Sequence, residues 1–357
     1  MLPLPIRPSI SLTEILAYSF LAFVIALIYT KPFVKLLHHY KLSKKLRIQA
    51  VDGASASVFL QYHESKAGTP TMGGILIWGS IVATVFLSRI FSAQGLVDHS
   101  ILQRGQVYLP LAVLIGFGIL GAIDDYMNVI GAGKNRGLDA LPKLLLLMLM
   151  SGAVACWFYF RLNYHSIHVP FGSSLGLSNG ELSLGWLYIP FFMFVLIGTA
   201  NAVNVTDGLD GLAGGLLIIA FSAFGIVAYI TGLYVLAAFC GVVAGAVAAF
   251  LWHNVPPAIF FMSDTGSLAL GGTLAVIAFM INQVLILPLI GFVFVIEMLS
   301  VIIQLTSKRY FKRKVFKSAP FHHHLEALNW GESKVTMRLW IVGVFFAFLG
   351  VLVGIYG

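Results

Sequence analysis

The sequence predicts an all-α, polytopic integral membrane protein with about ten membrane-spanning helices. Of its 357 residues, 59% are hydrophobic and only 10% are charged, and the mean hydropathy is +0.92. A typical soluble domain is about 25% charged. The apolar runs are long and unbroken, as spanning helices require, whereas the strands of a membrane β-barrel alternate over about ten residues. These observations exclude a soluble globular protein.

Ten spans result when the apolar sequence is divided into segments of about 20 residues. Two long apolar stretches are divided at polar turns, Thr231-Gly232 and Asn282-Gln283. The first apolar run shows no small-residue cleavage pattern, so we expect a retained span rather than a signal peptide. The predicted spans lie near 12–30, 71–90, 107–123, 143–160, 186–203, 211–230, 233–252, 268–282, 285–305 and 338–356.

Basic residues set the predicted orientation. All but four of the 22 Lys and Arg residues lie in or beside three loops, near 31–70, 124–142 and 306–337. Such loops face the cytoplasm, so both termini are predicted on the non-cytoplasmic side. The short loops near 204–211 and 253–267 fall on the cytoplasmic side as well and contain no basic residue. For most of the lysines, attraction to anionic lipid headgroups is a sufficient explanation.

Five aspartates lie where apolar spans end, and all five fall on the predicted cytoplasmic face. Carboxylates at a bilayer boundary are costly unless a cation, such as a metal or a phosphate-bound metal, needs them. This feature favours a membrane enzyme over a passive membrane protein. The five residues are Asp124, Asp125, Asp207, Asp210 and Asp264.

Adjacent carboxylates, Asp124 and Asp125, end the third predicted span in the segment GAIDDY. Neighbours on a helix point about 100° apart, so we expect one to face the cleft and the other a neighbouring helix or loop. A solvated helix end is the alternative, but the helix macrodipole disfavours acids there.

The segment NAVNVTDGLDGLAGG at 201–215 is the most distinctive stretch. Asn204, Asp207 and Asp210 are spaced i, i+3 and i+6, so they share a face if the helix continues. Gly208 and Gly211 permit a bend and a close approach of the backbone. Amides, carboxylates and glycines together suit a polar ligand such as a nucleotide. A glycine-rich turn capped by Asp explains the glycines, but not two acids and two amides.

Other polar residues fall on the same face with less specific signals. Asn254 and Asp264 lie in WHNVPPAIFFMSDTGS, where Asp264 is also a candidate helix N-cap. Lys66 begins the segment KAGTPTMGG and precedes its two threonines. This segment is not a Walker A loop. Glu297, inside the ninth span, is either functional or a buried carboxyl bonded to a neighbouring helix.

Three consecutive histidines, His322, His323 and His324, lie in the largest basic loop. Imidazole is a common zinc ligand, but three neighbours on a helix do not converge easily on one ion. Donation from N–H groups to phosphate, or proton transfer, fits this loop better.

Together, KAGTPTMGG, GAIDDY, NAVNVTDGLDGLAGG, FFMSDTGS and APFHHHLE resemble the phospho-N-acetylmuramoyl-pentapeptide-transferase family, a branch of the polyprenyl-phosphate N-acetylhexosamine-1-phosphate transferases. The resemblance runs from about residue 66 to residue 340 and implies a ten-span fold with both termini outside. It implies transfer of phospho-MurNAc-pentapeptide from UDP-MurNAc-pentapeptide to undecaprenyl phosphate, releasing UMP and forming the first lipid intermediate of peptidoglycan.

The resemblance also implies a location, a cofactor and partners. We expect a single catalytic domain, 1–357, in the bacterial inner (cytoplasmic) membrane, with its active site facing the cytoplasm and Mg²⁺ as cofactor. The two substrates and the lipid bilayer are the expected partners; no nucleic acid is expected, and a homodimer stays open.

Residue roles carried over by motif fall into three groups. The implied catalytic residues are Asp124, Asp125, Asp264 and His324. The implied metal ligands are Asp264 and Asp207. The implied substrate-binding residues are Lys66, Thr71, Lys143, Asn204, Asp207, Gly208, Asp210, Asn254, Phe261, Gln304, His322 and His323.

The chain departs from the family pattern at several positions. Ser263 stands where the family usually has Gly, and Asn128, Gly131 and Arg136 stand where lysines are usual. Of the nearby basic residues, Lys134 and Lys143 remain to contact a phosphate in this loop. The stretch at 52–63 is longer than usual and is expected to form a hairpin of its own.

Two other functions and two mechanisms stay open at this stage. The same-superfamily alternative is a transferase for another UDP-sugar, and the alternative of a different class is an ion-coupled transporter. Transporters usually carry their polar residues near the membrane midplane between repeats, and this sequence shows no repeat. Asp124 is either a base toward the lipid phosphate or an electrostatic group, and the reaction is either direct displacement or proceeds through an aspartyl-phosphate.

Overall fold

The computed structural model describes residues 10–43, 68–103, 105–133 and 137–357. Three groups of predictions lie outside these residues: the site role of Lys66, the hairpin at 52–63, and the contributions of Lys134 and Arg136.

Twelve α-helices are formed by the described residues, and one short hairpin lies between the fourth and the fifth. The long helices are α1 (Leu12–His39), α2 (Gly74–Ala93), α3 (Tyr108–Ile130), α4 (Ala140–Cys156), α5 (Tyr188–Thr206), α6 (Leu212–Ile230), α7 (Tyr234–Asn254), α8 (Ser263–Met280), α10 (Phe292–Thr306) and α12 (Glu332–Tyr356). The short elements are α9 (Leu287–Ile290), α11 (Phe321–Glu326), β1 (Ser166–His168) and β2 (Glu181–Ser183).

The prediction of a polytopic helical membrane protein is confirmed. Within the described ranges, nine helices are long and apolar enough to cross a membrane. Residues 284–290 and 292–311 are apolar enough only together and bend by 83° at the break between them, so the count is ten if this pair is one span. The sequence predicted an unbroken span near 285–305. Pro288 lies in the first turn of α9 and Gly291 ends it, and both residue types favour interruption of a longer helix.

Several helices extend beyond their predicted apolar limits. α1 runs to His39 instead of ending near residue 30, and α8 begins at Ser263 instead of near residue 268. Hydropathy detects only the apolar part of a helix, whereas polar residues at its ends continue the backbone hydrogen bonds. The extension of α8 matters most, because it brings Asp264 into the first helical turn.

The core of the bundle is α8. Of its 18-residue span, 89% is buried by the rest of the protein, against 22% for the most apolar window of α1. It packs against α3 and α5, and also against α2. Because the residues around Asp264 begin this central helix, the surrounding helices position the site.

Close contacts between backbones hold the start of α8. A methyl group on Gly74 of α2 would collide with the backbone of Gly266, and one on Gly121 of α3 would collide with the carbonyl of Asp264. Three helices therefore meet at van der Waals distance beside Asp264, and only glycine permits this approach.

The opposite end of the bundle carries the antiparallel β1–β2 hairpin, in which Ile167 pairs with Leu182. The amide of His168 donates to Asn282 Oδ1 at 3.2 Å, and the amide of Phe171 donates to the Gly357 carbonyl at 2.7 Å. We call this the hairpin end, and the end that carries Asp124, Asp207 and Asp264 the site end.

Candidate active site

Two carboxylates from different helices share one ammonium group at the site end. Lys143 Nζ lies 3.2 Å from Asp124 Oδ2 and also contacts Asp264 Oδ2. All three side chains are largely buried, with exposed fractions of 18%, 12% and 15% for Lys143, Asp124 and Asp264. Asp124 Oδ1 additionally accepts the amide of Leu138 at 2.6 Å. The end of α3 and the starts of α4 and α8 thus converge on one position of high charge density.

Asp264 is held from its other side by α5. Asn204 Nδ2 donates to Asp264 Oδ1 at 2.8 Å and to Ser267 Oγ at 2.8 Å. The residue at the N-cap position of α8 is Met262, whose side chain makes no capping hydrogen bond. The alternative of Asp264 as a simple N-cap is therefore wrong, since its carboxylate bonds to side chains of α4 and α5.

Asp125 points away from its neighbour, as its position on a helix predicts. It accepts from Ser263 Oγ at 2.8 Å, from the Thr265 amide at 2.9 Å and from Thr265 Oγ1 at 2.5 Å. Its exposed fraction is 4%. Asp125 therefore anchors the end of α3 to the first turn of α8, while Asp124 faces Lys143.

Ser263 joins this anchor to the segment before α2. Its hydroxyl accepts from Thr71 Oγ1 at 2.7 Å, so Thr71, Ser263 and Asp125 form a chain of hydrogen bonds. Ser263 has a φ of 61°, in the left-handed region that favours glycine. Phe261 continues the junction through its backbone, which donates to the Pro70 carbonyl at 2.9 Å and accepts from Gly73 at 2.8 Å.

The predicted shared face of Asn204, Asp207 and Asp210 does not form, because α5 ends at Thr206. Asp207 Oδ2 accepts the Ser263 amide at 2.9 Å, next to Asp264 in the chain. The Asp210 carboxylate binds a different segment of the chain. The chain reverses through Gly208 and Gly211, and this turn separates the two carboxylates.

Asp210 and Asn254 connect the loops at the site end. Asp210 Oδ2 accepts the Ala258 amide at 3.0 Å, and its own amide donates to Glu332 Oε1 at 2.7 Å. Asn254 accepts the Gly211 amide at 3.0 Å and donates to the Phe260 carbonyl at 2.9 Å. Both side chains are almost fully buried. These contacts give the two residues a role in shaping the site.

The three histidines have three different partners. His322 Nδ1 lies 3.0 Å from Glu297 Oε2, and His323 Nδ1 lies 2.6 Å from Glu326 Oε2. The third, His324, accepts the amide of Lys317 on Nδ1 at 3.2 Å. Their Nδ1 atoms therefore have separate partners.

Gln304, another predicted substrate-binding residue, braces the segment after α10. Its Oε1 accepts the amides of Val315 and Phe316, each at 3.0 Å, and its Nε2 donates to the Phe316 carbonyl at 3.1 Å. This segment leads to α11, which carries the histidines. Gln304 therefore acts through the position of α11.

Sequence reasoning missed several residues of this network. Thr265 and Ser267 bond to the central aspartate and amide side chains, and Glu332 bonds to the backbone of Asp210. Thr265 and Ser267 follow Asp264 directly in the chain, and this proximity was the available signal. Glu332 lies more than 120 residues from its partner, and nothing in its local sequence distinguishes it.

The donor set suits a magnesium ion. Among the described residues, no cluster of three or more His, Cys, Asp or Glu side chains could hold a metal alone. Mg²⁺ usually takes one or two carboxylates and completes its octahedral shell with water and substrate phosphate oxygens. Asp264 and Asp124 already share one cation, the Lys143 ammonium. A pair of carboxylates in this arrangement fits that requirement.

Comparison with known proteins gives first a class of enzyme. Residues 107–282 match the Glycosyl transferase family 4, and residues 66–77 match the Phospho-N-acetylmuramoyl-pentapeptide-transferase signature 1. The chain is thus a membrane-embedded transferase of the phosphoglycosyl transferase class.

Relatives extend the match to nearly the whole chain. A phospho-N-acetylmuramoyl-pentapeptide-transferase of Geobacillus sp. is 40% identical over 338 residues, covering 94% of this chain and 96% of the relative. The protein of that name from Staphylococcus epidermidis is 38% identical over 342 residues, covering 96% and 100%. One from Clostridium perfringens is 38% identical over 329 residues, covering 92% and 95%. The chain belongs to the phospho-N-acetylmuramoyl-pentapeptide-transferase family.

Proposed function

We propose that this chain transfers phospho-MurNAc-pentapeptide from UDP-MurNAc-pentapeptide to undecaprenyl phosphate, with release of UMP. The observation that carries the proposal is the contact of Asp124 and Asp264 with the same cationic group, the Lys143 ammonium, where three helices meet. The family to which the chain belongs supports the choice of substrates.

Charge compensation is what the reaction demands. Both substrates are anionic, so attack of a phosphate on a diphosphate brings like charges together. When bound, Mg²⁺ neutralises charge on the diphosphate and orients the attack. Asp264 and Asp124 would hold this ion in the place that the Lys143 ammonium takes here; Asp207, the second ligand implied by motif, lies beside them through the Ser263 amide. The Lys143 ammonium would then face the phosphate oxygens next to the ion.

Asp124 acts in this proposal through its charge more than as a base. A phosphate monoester has a second pKa near about 6, so the attacking phosphate is already mostly dianionic at neutral pH. Asp124 also accepts from Leu138 and from Lys143. These two donors hold its carboxylate in place, which favours direct displacement over attack by the aspartate itself.

The proposed location is the bacterial inner membrane, with the site end toward the cytoplasm. The basic loops support this orientation, since Lys308, Arg309 and Lys312 follow α10 at the same end as the histidines. UDP-sugars are made in the cytoplasm, so a site at this end is accessible to a nucleotide substrate.

Substrate choice tests the proposal most simply. The purified protein in detergent is offered undecaprenyl phosphate with either UDP-MurNAc-pentapeptide or UDP-GlcNAc, and released UMP is measured. We expect turnover with the pentapeptide substrate alone. Turnover with UDP-GlcNAc alone would assign the chain to the other branch of the superfamily.

A further inference from the structure

Glu297 is a fully buried acid in the middle of an apolar helix. It lies in α10, beyond the 83° bend, and has no solvent exposure. Placing a carboxylate in such a position costs several kcal/mol unless partners satisfy it. The surrounding sequence, FVFVIEMLSVI, contains no other charge, so a charged partner must come from a distant part of the chain.

That partner is a single residue, His322, which binds Glu297 twice. The ring nitrogen Nδ1 lies 3.0 Å from Glu297 Oε2, and the backbone amide lies 3.2 and 3.3 Å from the two carboxylate oxygens. Two attachment points fix both the position and the rotation of the imidazole. The exposed fraction of the His322 side chain is 1%.

The other ring nitrogen, Nε2, lies against Gly208. His322 Nε2 is buried and has no hydrogen-bond partner within the described part of the chain. A methyl group on Gly208 would collide with this nitrogen and would lie 2.8 Å from Cε1. Gly208 follows Asp207, whose carboxylate bonds to the residue before Asp264. The unpartnered nitrogen therefore faces the loop that borders the shared carboxylates.

We infer that Glu297 is a positioning residue that presents His322 Nε2 to the diphosphate of the nucleotide substrate. The Glu297 carboxylate accepts the Nδ1–H of His322 and so fixes the ring, and a proton on Nε2 is then donated to a phosphate oxygen of the ligand. The same carboxylate stabilises positive charge on the ring as an anionic oxygen approaches Nε2. Glu297 itself touches no substrate. The inference rests on the proposed function, because it takes the ligand to be a nucleoside diphosphate.

A double-mutant cycle on nucleotide binding tests the inference. UDP binding is measured for the wild type, Glu297→Gln, His322→Gln and the double variant in the same detergent. Each single change is expected to weaken binding about tenfold, the effect of losing a charge-assisted hydrogen bond. Because Glu297 acts through His322, the double variant should bind UDP within about twofold of His322→Gln alone. Losses that multiply would overturn the inference.

A second variant perturbs His322 Nε2 and leaves Glu297 unchanged. Gly208→Ala places a methyl group against Nε2 and should also weaken UDP binding about tenfold or more. The matched control is Gly198→Ala in α5, because a methyl group there meets no atom within 4 Å. Ser300→Ala is the control for α10, since its hydroxyl bonds only within the helix, to the Glu297 carbonyl. Unchanged UDP binding by Gly208→Ala would contradict the inference.

Steady-state kinetics separate positioning from a general loss of structure. Glu297→Gln should raise the KM for the nucleotide substrate and leave the KM for undecaprenyl phosphate unchanged. An equal rise in both would show that Glu297 only supports the fold. Failure of the proposed function looks different: the wild type would bind UDP, and the cycle would hold, without turnover of UDP-MurNAc-pentapeptide.

Discussion

Ser263 combines an unfavourable backbone conformation with two favourable side-chain hydrogen bonds. Its φ of 61° costs a non-glycine residue about 1 kcal/mol. Its hydroxyl accepts from Thr71 and donates to Asp125, and two buried hydrogen bonds offset a cost of that size. A glycine would remove the backbone cost and both bonds together. The position therefore tolerates serine because two partners on neighbouring elements are within reach of its hydroxyl.

The backbone and hydroxyl contributions of Ser263 can be separated by two variants. Ser263→Ala and Ser263→Gly lose the same hydrogen bonds, but alanine keeps the unfavourable φ. We expect Ser263→Ala to be less stable than Ser263→Gly by about 1 kcal/mol, measured as the free energy of unfolding in detergent. Equal stabilities would show that the left-handed conformation is not maintained.

Asp264 is the residue whose substitution we expect to lower activity most. Asp264→Asn keeps the shape of the side chain and removes the charge that contacts Lys143. We expect the rate of UMP release to fall by about 100-fold or more, as when a preorganised electrostatic group is lost. Asp98→Asn is the control, because Asp98 is exposed in the loop after α2. A rate within a few-fold of wild type would exclude Asp264 from catalysis.

At the scale of elements, the sequence predicts more about single helices than about their contacts. The clusters of acids and amides identified the site segments, because polar residues are rare in apolar spans. The sequence did not show that Lys143 lies between Asp124 and Asp264, nor that Glu297 meets His322. These contacts depend on which helices are neighbours, and apolar surfaces look alike whether they face lipid or protein.

The position of the turn after α5 could not be predicted from the local sequence. The spacing of Asn204, Asp207 and Asp210 favoured one helical face, but α5 ends at Thr206. Gly208 and Gly211 permit this end without specifying where it falls. The partners of Asp210, the Ala258 amide and Glu332, lie on distant segments and select the turn.

The crossing of α2 and α8 can be tested with one methyl group. Gly74→Ala would push against the backbone of Gly266, which cannot move without shifting the start of α8. We expect a loss of stability of about 1–3 kcal/mol, together with lower activity, because Asp264 lies in the same turn. Gly79→Ala is the matched control in the same helix, since no atom lies within 4 Å of its methyl group. Similar thermal unfolding of the two variants would show that the close contact is absent.

At the scale of the whole molecule, orientation decides which compartment supplies the nucleotide. The site end and the hairpin end lie at opposite ends of the spans that connect them, and our proposal assigns the site end to the cytoplasm. Single cysteines at Lys317 and Ser173, in a background without Cys156 and Cys240, report on the two ends. In intact cells, a membrane-impermeant thiol reagent should label Ser173→Cys and leave Lys317→Cys unlabelled. The reverse pattern would place the site outside.

The most direct measurement of the central claim is UMP release as a function of Mg²⁺ concentration. Purified wild type receives UDP-MurNAc-pentapeptide and undecaprenyl phosphate in detergent, with EDTA and then with increasing Mg²⁺. We predict no release in EDTA, saturable recovery with Mg²⁺, and no recovery for Asp264→Asn over the same range. Full release in EDTA, or a normal Mg²⁺ dependence in Asp264→Asn, would contradict a shared cation site built from Asp264 and Asp124.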